Sequence, residues 1–200
     1  MLLVIPDVLT RDEALAMGRT LATADRVAAD AGAFAGEWAT PDQPMPTRCA
    51  AIAAARAQIE AALARNATFL SAALPRLMYP PMFNRYGPGD GFGAHVHDAI
   101  RRDPAGAQIR TDLSATLFLS EGYRGGKLTI DSPFGAVAYA LPAGHMVLYS
   151  GAPTRQVTQV TSGERLACFF WLQSLVRDDG ARETLYDIDQ AVQALVTRRA

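Results

Sequence analysis

The sequence predicts an all-β core with flanking helices, arranged as a jelly roll. After Pro75, short segments rich in aromatic, β-branched and other apolar residues are separated by Gly-, Pro-, Asp- or Ser-containing turns, at intervals of about eight to twelve residues. About eight such segments follow one another, which is the strand count of a jelly roll. The residues before Pro75 and after Gly180 have helical periodicity, so we expect helices on both sides of the β core.

Residues 1–75 are predicted to form an N-terminal helical segment that packs on the barrel. Thr10 can cap the first helix, and Glu13 can return the bond three residues later, which is the capping-box pattern. An Ala-rich second helix is predicted from about residue 49 to residue 65, with its larger aliphatic residues on one face. Residues 31–46 contain Gly and Pro and lack periodicity, so we expect a loop between these helices.

Residues 76–178 are predicted to form the β core, and residues 179–200 a C-terminal helix with an apolar side. The sequence contains no internal repeat and no interior linker, so we expect all three parts to belong to one compact domain. The predicted strands are 77–86, 94–98, 110–120, 127–131, 136–141, 145–150, 155–160 and 165–176.

Composition and charge exclude several classes of protein. The chain has 200 residues, of which 50% are hydrophobic and 20% charged, as is typical of one globular domain with a full core. A formal net charge of −1 provides no basic field, so we expect neither nucleic acid nor a membrane as a partner. No apolar run reaches the roughly eighteen residues of a membrane span, and residues 2–5 are too short for a signal peptide. Cys49 and Cys168 lie far apart among apolar residues, which favours reduced thiols and a cytoplasmic protein.

Two of the three histidines, His95 and His97, lie two residues apart after a Gly-rich turn. Residues two apart on a strand point to the same face, so both imidazoles could bind one metal ion from the barrel interior. The alternative is a pair of polar histidines at a strand edge, hydrogen-bonded to backbone or water. His145 is either a third ligand or a solvent-facing side chain. The pattern alone leaves these alternatives open.

Two arginines are candidates for contacts with an anion. Arg165 opens the longest apolar strand, where it either lies at the rim in solvent or points into the barrel and binds a carboxylate through two parallel hydrogen bonds. The composition of that strand by itself favours the rim. Arg101 lies in a polar loop beside the expected site entrance, where it either meets an anionic substrate or is solvated.

A series of segments along the chain carries a family resemblance. They are Tyr79-Pro-Pro-Met-Phe-Asn-Arg-Tyr86, Phe92-Gly-Ala-His95, Arg110-Thr-Asp-Leu-Ser-Ala-Thr-Leu-Phe-Leu-Ser120, Leu141-Pro-Ala-Gly144, Gly163-Glu-Arg165 and Phe169-Phe-Trp-Leu-Gln-Ser-Leu-Val-Arg-Asp-Asp179. Together they strongly resemble the PKHD-type hydroxylases, bacterial relatives of the prolyl and lysyl hydroxylases among the iron(II)/2-oxoglutarate dioxygenases. The resemblance extends from residues 5–9 to residues 187–191, so it covers nearly the whole chain.

The resemblance implies a double-stranded β-helix, which is a form of jelly roll, and the chemistry of a 2-oxoglutarate-dependent hydroxylase. In that family iron(II) is held by a His-x-Asp pair and a later histidine, 2-oxoglutarate is anchored by an arginine, and ascorbate serves as a reductant. Carried over by position, the first iron ligand is His95 and the arginine is Arg165. Tyr86 matches a tyrosine that lines the cosubstrate pocket, although an aromatic residue on a strand usually belongs to the core.

Two metal-ligand positions depart from the family pattern. His97 stands where the family has the carboxylate, and Arg155 stands where it has the distal histidine. Asp98 does not simply replace the carboxylate, because a shift of one residue along a strand turns the side chain to the opposite face. An ion of charge +2 at about 4 Å from a guanidinium is repelled by roughly 8 kcal/mol at an effective dielectric constant near 20. We therefore expect iron(II) to bind much more weakly here than in the relatives.

Three hypotheses about function remain at this stage. The first is an oxygenase that hydroxylates a small molecule or a protein side chain in an altered iron site. The second is a non-catalytic relative that binds an organic acid in the barrel without metal. The third is a cupin-like protein whose His-x-His pair binds zinc, nickel or copper. A homo-oligomer is compatible with all three.

Overall fold

The computed structural model describes residues 1–29 and 50–199, which form two β-sheets with helices against one of them. The prediction of an all-β core with flanking helices is confirmed. In chain order the elements are β1 (Leu2–Ile5), α1 (Arg11–Ala29), α2 (Ala50–Ala64), α3 (Ala67–Ala73), β2 (Pro75–Met78), β3 (Met82–Tyr86), β4 (Phe92–His95), β5 (Ile100–Arg102), β6 (Gln108–Arg110), β7 (Leu113–Phe118), β8 (Arg124–Gly125), β9 (Leu128–Ser132), β10 (Gly135–Tyr139), β11 (Met146–Ser150), β12 (Arg155–Val157), β13 (Val160–Ser162), β14 (Arg165–Ser174) and α4 (Asp179–Arg199).

The larger sheet has the order β1-β11-β7-β14-β2, with β3 also paired to β14. The smaller sheet has the order β10-β9-β12-β4. Pairing in both sheets is antiparallel, as expected for a jelly roll. Two short ribbons, β13-β8 and β5-β6, complete the described strands.

The two faces of the larger sheet bury different sets of side chains. Successive residues on a strand point to opposite faces, so every second residue of β7, β11 and β14 faces the helices. That side forms the main hydrophobic core, and on β14 it consists of Leu166, Cys168, Phe170 and Leu172. The other face packs on the smaller sheet through a second cluster: Tyr86, Phe118, Leu128, Ile130, Val147, Tyr149, Val157 and Val160. The candidate site lies on this second side.

The sequence predicts that the N-terminal segment is helical, but the structure shows that it also contains a strand. Residues Leu2–Ile5 form β1, which pairs antiparallel with β11 at the edge of the larger sheet. This tetrapeptide is apolar and contains the β-branched Val4 and Ile5, which favour strands. The capping box is confirmed, because the Thr10 amide donates to the Glu13 carboxylate at 2.8 Å. The loop predicted at 31–46 lies outside the described residues, as does Cys49.

Several predicted strands are shorter than expected or divided. The predicted strand 77–86 is two strands, β2 and β3, separated at residues 79–81, where two prolines cannot donate ladder hydrogen bonds. The predicted strand 94–98 ends at His95, so His97 lies just beyond β4. The inference that His95 and His97 share a strand face therefore does not apply as stated.

The C-terminal helix α4 is confirmed and is fixed by Arg182, which is fully buried. The Arg182 guanidinium donates to the Val176 carbonyl at 2.6 Å and forms an ion pair with Asp179. On α3, the Ser71 hydroxyl donates to Asp189 of α4 at 2.6 Å. None of the helices in the described ranges is both long and apolar enough to cross a membrane.

Replacing Gly125 with alanine is expected to destabilise the fold more than the same change at Gly122. Both glycines have a positive φ, 73° and 78° respectively, which disfavours any L side chain. A Cβ at Gly125 would lie 2.0 Å from the Gln159 carbonyl oxygen, whereas one at Gly122 meets nothing within 4 Å. We expect about 1 kcal/mol of destabilisation for Gly122→Ala and at least about 2 kcal/mol more for Gly125→Ala, measured by urea unfolding. An equal decrease in the free energy of unfolding for both variants would show that the backbone at Gln159 shifts without an energetic penalty.

Candidate functional site: two buried arginines beside a histidine pair

Arg165 points between the two sheets and not into solvent. It begins β14, pairs with Tyr86 of β3, and is 1% exposed. Because Leu166 faces the helices, the alternation along β14 turns Arg165 to the opposite face. The rim position suggested by the composition of the strand is therefore wrong, and the side chain points into the interior.

The Arg165 guanidinium is surrounded by aromatic rings and has unused donors. Its Cζ atom lies 5.5 Å from the Tyr86 ring centroid and 5.4 Å from that of Phe118. Within the described residues, Nε and Nη1 have no hydrogen-bond partner. Burial raises the pKa of Tyr86 and Tyr149, and this effect is partly offset by the charge of Arg165 at Tyr86 and chiefly by the charge of Arg155 at Tyr149. These hydroxyls thus remain neutral and do not compensate the arginine.

Arg155 is the second buried arginine of this side. It begins β12, where it is the Cα partner of His95 on β4 and of Ile130 on β9, and it is 3% exposed. Its Nε, Nη1 and Nη2 atoms have no hydrogen-bond partner in the part of the chain that the structure describes. Its Cζ atom lies 5.8 Å from the Tyr149 ring centroid. Burial lowers the pKa of Arg155 to about 10, so the group is still charged at neutral pH.

His95 keeps one ring nitrogen free. Its Nδ1 lies 2.8 Å from the Gly93 carbonyl oxygen, which can only accept, so Nδ1 carries the proton and Nε2 has the lone pair. The ring packs edge-on against Phe92, with centroids 4.0 Å apart. Burial and, more weakly, the charge of Arg155 lower the pKa of His95. A neutral imidazole with a free Nε2 is the form that binds metals.

His97 is held differently. Its Nδ1 lies 2.5 Å from Trp171 Nε1 and 2.8 Å from Ser114 Oγ. The indole N–H can only donate, so Nδ1 must accept and the ring proton of the neutral form resides on Nε2. Burial first, and then the charge of Arg155, lower the pKa of His97 strongly, so the ring stays neutral. The ring centroids of His95 and His97 are 5.6 Å apart.

Arg101 covers the outer side of this cluster. Its Cζ atom lies 3.8 Å from the Trp171 ring centroid, which is cation–π geometry. One of its nitrogens lies 3.4 Å from Asp98 Oδ2, and its Nε has no partner among the described residues. Asp98 is thus turned toward Arg101 on the β5-β6 ribbon, and its side chain is 75% exposed. The β4–β12 pairing has a register shift between Arg155 and Val157, but this irregularity precedes Asp98, which pairs with Arg101.

The remaining histidine lies elsewhere. His145 Nδ1 accepts a hydrogen bond from the Asp7 amide at 3.3 Å, and Asp7 Oδ1 is 3.8 Å away. The structure does not group His145 with His95 and His97. Sequence reasoning also missed Trp171, Ser114 and Tyr149 as parts of the site. Trp171 could have been found from spacing, since it is six residues after Arg165 on one strand and therefore on the same face.

The two antiparallel sheets form a double-stranded β-helix, and the family match assigns it to the class of 2OG-Fe(II) oxygenases. Residues 81–173 match the 2OG-Fe(II) oxygenase superfamily. The chain is 45% identical to a PKHD-type hydroxylase of Klebsiella pneumoniae (strain 342), over 97% of this chain and 88% of that protein. It is 46% identical to one of Caulobacter sp. (strain K31), over 98% and 88%. The chain belongs to the PKHD-type hydroxylase family.

The fold is also that of a solved hydroxylase. A Pseudomonas putida prolyl-4-hydroxylase superposes with a TM-score of 0.56 at 21% identity, covering 86% of this chain and 88% of that chain. At this level of identity the similarity concerns the fold. It confirms the double-stranded β-helix that the sequence resemblance implied.

The residues present do not fit the iron(II) ion that the family generally uses. Non-haem iron in such enzymes is held by two histidines and a carboxylate on one face. In residues 1–29 and 50–199, no group of three or more His, Cys, Asp and Glu side chains is placed to hold a metal. Of the family positions, only His95 presents a free lone pair. His97 uses its lone pair on Trp171, and Arg155 adds a buried positive charge next to it.

Placing the family's ligand residues at positions 97 and 155 is expected to create a metal site, and the two substitutions should act together. His97→Asp supplies a carboxylate, and Arg155→His removes a cation and adds an imidazole. His97→Asp alone should gain little, because the new carboxylate would pair with Arg155. In anaerobic iron(II) titrations we expect the double variant to bind on the order of a hundredfold more tightly than the wild type or either single variant. Succinate formation from 2-oxoglutarate provides the second measurement.

Metal binding by the wild-type protein could contradict this prediction. If it already binds iron(II) as tightly as the double variant, another residue completes the site and the fit argument is wrong. Stoichiometric zinc, nickel or copper in the wild type, without iron, would instead support the cupin-like hypothesis.

Proposed function

We propose that this family member binds a small dicarboxylate, with 2-oxoglutarate as the first candidate, between its two sheets and without a metal ion. The observation that carries the proposal is the set of guanidinium nitrogens without a partner among the described residues, three on Arg155 and two on Arg165. Buried polar groups are hydrogen-bonded in the great majority of cases, and buried charges are paired. Two buried cations with free donors therefore need an anion that residues 1–29 and 50–199 do not supply.

A carboxylate is the group that best matches these donors. The guanidinium is planar and presents parallel N–H groups that fit the two carboxylate oxygens. Arg165 corresponds to the position that anchors 2-oxoglutarate in the family, so we assign one carboxylate of the ligand to this arginine. Arg155 is the second cation of the same side, facing Tyr149 at 5.8 Å. A ligand with a carboxylate at each end would neutralise both arginines.

The same geometry disfavours oxygenase chemistry in this chain. The buried charge of Arg155 and the engaged lone pair of His97 support weakened or absent iron(II) binding. Ascorbate would then have no metal to reduce. A small molecule is favoured over a protein side chain as the ligand, because the donors are buried between the sheets. The buried, reduced Cys168 is consistent with a cytoplasmic location.

The decisive experiment is calorimetric titration of 2-oxoglutarate into the protein in EDTA, repeated with iron(II) under anaerobic conditions. Binding in EDTA that iron(II) does not tighten supports the proposal. Binding that requires iron(II), with turnover to succinate, would overturn it in favour of the oxygenase hypothesis. If 2-oxoglutarate binds neither in EDTA nor with iron(II), the proposal is also overturned.

Arg165→Met is expected to weaken 2-oxoglutarate binding by about a hundredfold. Each hydrogen bond to a charged group contributes about 1.5–3 kcal/mol, and the change removes a bidentate pair while nearly preserving volume. Arg76→Met, at an exposed position of β2, is the matched control and should leave the affinity unchanged. Calorimetry measures both affinities. Equal affinity of Arg165→Met and wild type would mean that the ligand does not contact this arginine.

Arg155→Met is expected to stabilise the ligand-free protein by about 1–4 kcal/mol, because it removes a buried charge that has no hydrogen-bond partner among the described residues. Arg182→Met is the contrasting control. Arg182 is equally buried, but it donates to the Val176 carbonyl and pairs with Asp179, so its loss should destabilise. Urea unfolding in buffer free of carboxylates and phosphate measures both. Destabilisation by Arg155→Met would show that its charge is already compensated.

A further inference from the structure

The ring of His97 has a fixed orientation and a fixed tautomer. Trp171 Nε1 lies 2.5 Å from His97 Nδ1, and an indole nitrogen can only donate. Ser114 Oγ, at 2.8 Å from the same atom, belongs to a residue that is 1% exposed, so this edge of the imidazole is enclosed by protein. The proton of the neutral ring is therefore on Nε2, at the other edge. This atom is a donor and has no lone pair for a metal.

The indole that sets this tautomer is itself held on several sides. Trp171 is 3% exposed and lies on the inward face of β14. The Arg101 guanidinium stacks on the ring at 3.8 Å, and the rings of Tyr79 and Phe169 meet it edge-on at 5.4 and 5.6 Å. The donor to His97 is thus part of a packed assembly and cannot rotate away freely.

Arg155 presents its donors at the same end of the site. It is the cross-strand partner of His95, whose ring lies 5.6 Å from that of His97. All three of its guanidinium nitrogens lack partners in the described residues. The positions that hold the metal in the family thus carry N–H groups here, from Arg155 and from His97, and only His95 offers a lone pair.

We propose that Arg155 and His97 Nε2–H form a second carboxylate subsite, so that the protein selects dicarboxylates and does not distinguish a 2-oxo group. This inference rests on the proposed function and names its ligand class. Two N–H donors, one of them on a charged group, match a carboxylate, and in the described residues no metal-holding group is placed beside them to single out a 2-oxo oxygen. Glutarate should therefore bind about as well as 2-oxoglutarate, and pentanoate, which lacks one carboxylate, should bind weakly.

The first test compares these three acids by titration in EDTA, with NMR for millimolar affinities. We expect 2-oxoglutarate and glutarate to agree within about threefold and pentanoate to be at least about thirtyfold weaker. A preference of thirtyfold or more for 2-oxoglutarate over glutarate would overturn the inference, since it would show that the oxo group is read.

The second test uses variants that separate the two subsites. His97→Asn keeps an acceptor for Trp171 and removes Nε2–H, and Arg155→Met removes the guanidinium. Both should weaken glutarate at least tenfold and leave pentanoate unchanged, whereas Arg165→Met should weaken both acids. His145→Gln, outside the site, is the control and should change neither.

The tautomer of His97 can be measured without any ligand. Nitrogen-15 shifts of the three histidine rings should show His97 protonated on Nε2 and bare on Nδ1, and Trp171→Phe should remove this restriction while keeping an aromatic ring. Protonation of His97 on Nδ1 in the wild type would overturn the assignment. If dicarboxylates bind through Arg165 and Arg155 but His97→Asn does not weaken them, this inference fails and the proposed function stands; if none binds, both fail.

Discussion

The alternation of side chains along β14 is the constraint on which the rest of the site depends. This strand pairs with β7, β2 and β3, and its ten residues are nearly all buried. Leu166, Cys168, Phe170 and Leu172 complete the core against the helices. Packing of that face fixes the register, so the intervening residues must point to the smaller sheet. Arg165 at the start of the strand and Trp171 near its end are placed toward the site for this reason.

At the end of the site formed by Arg155 and His97, hydrogen-bond donors replace the metal-binding acceptors of the family pattern. A metal site needs lone pairs and negative charge, whereas Arg155 and His97 provide N–H groups and positive charge. The two positions are coupled through His95, which is the cross-strand partner of Arg155 and the ring neighbour of His97. The overall fold is preserved across this change, since the sheet registers depend on the apolar residues and not on the identity of the site residues. Fold and family are therefore shared with the hydroxylases, while the chemistry of the site is decided locally.

The sequence predicted the fold class, the C-terminal helix, the capping box at Thr10 and the family. These depend on local pattern, or on motifs spread over the whole chain. It did not predict β1, because a tetrapeptide strand is defined by its partner β11 and not by its own periodicity. The composition of β14 suggested the wrong place for Arg165, because an average over a strand ignores which face each residue takes. The bond between Trp171 and His97 joins residues 74 positions apart, and no local pattern contains it.

The contact between Trp171 and His97 gives the site an optical label. An indole that stacks under a guanidinium and donates to an imidazole has an emission that responds to changes in either neighbour. The sequence contains two tryptophans, Trp38 and Trp171. In a Trp38→Phe background, the fluorescence of the protein would come from Trp171 alone. The occupancy of the space beside Arg101 and His97 could then be followed in solution, in real time and without an added dye.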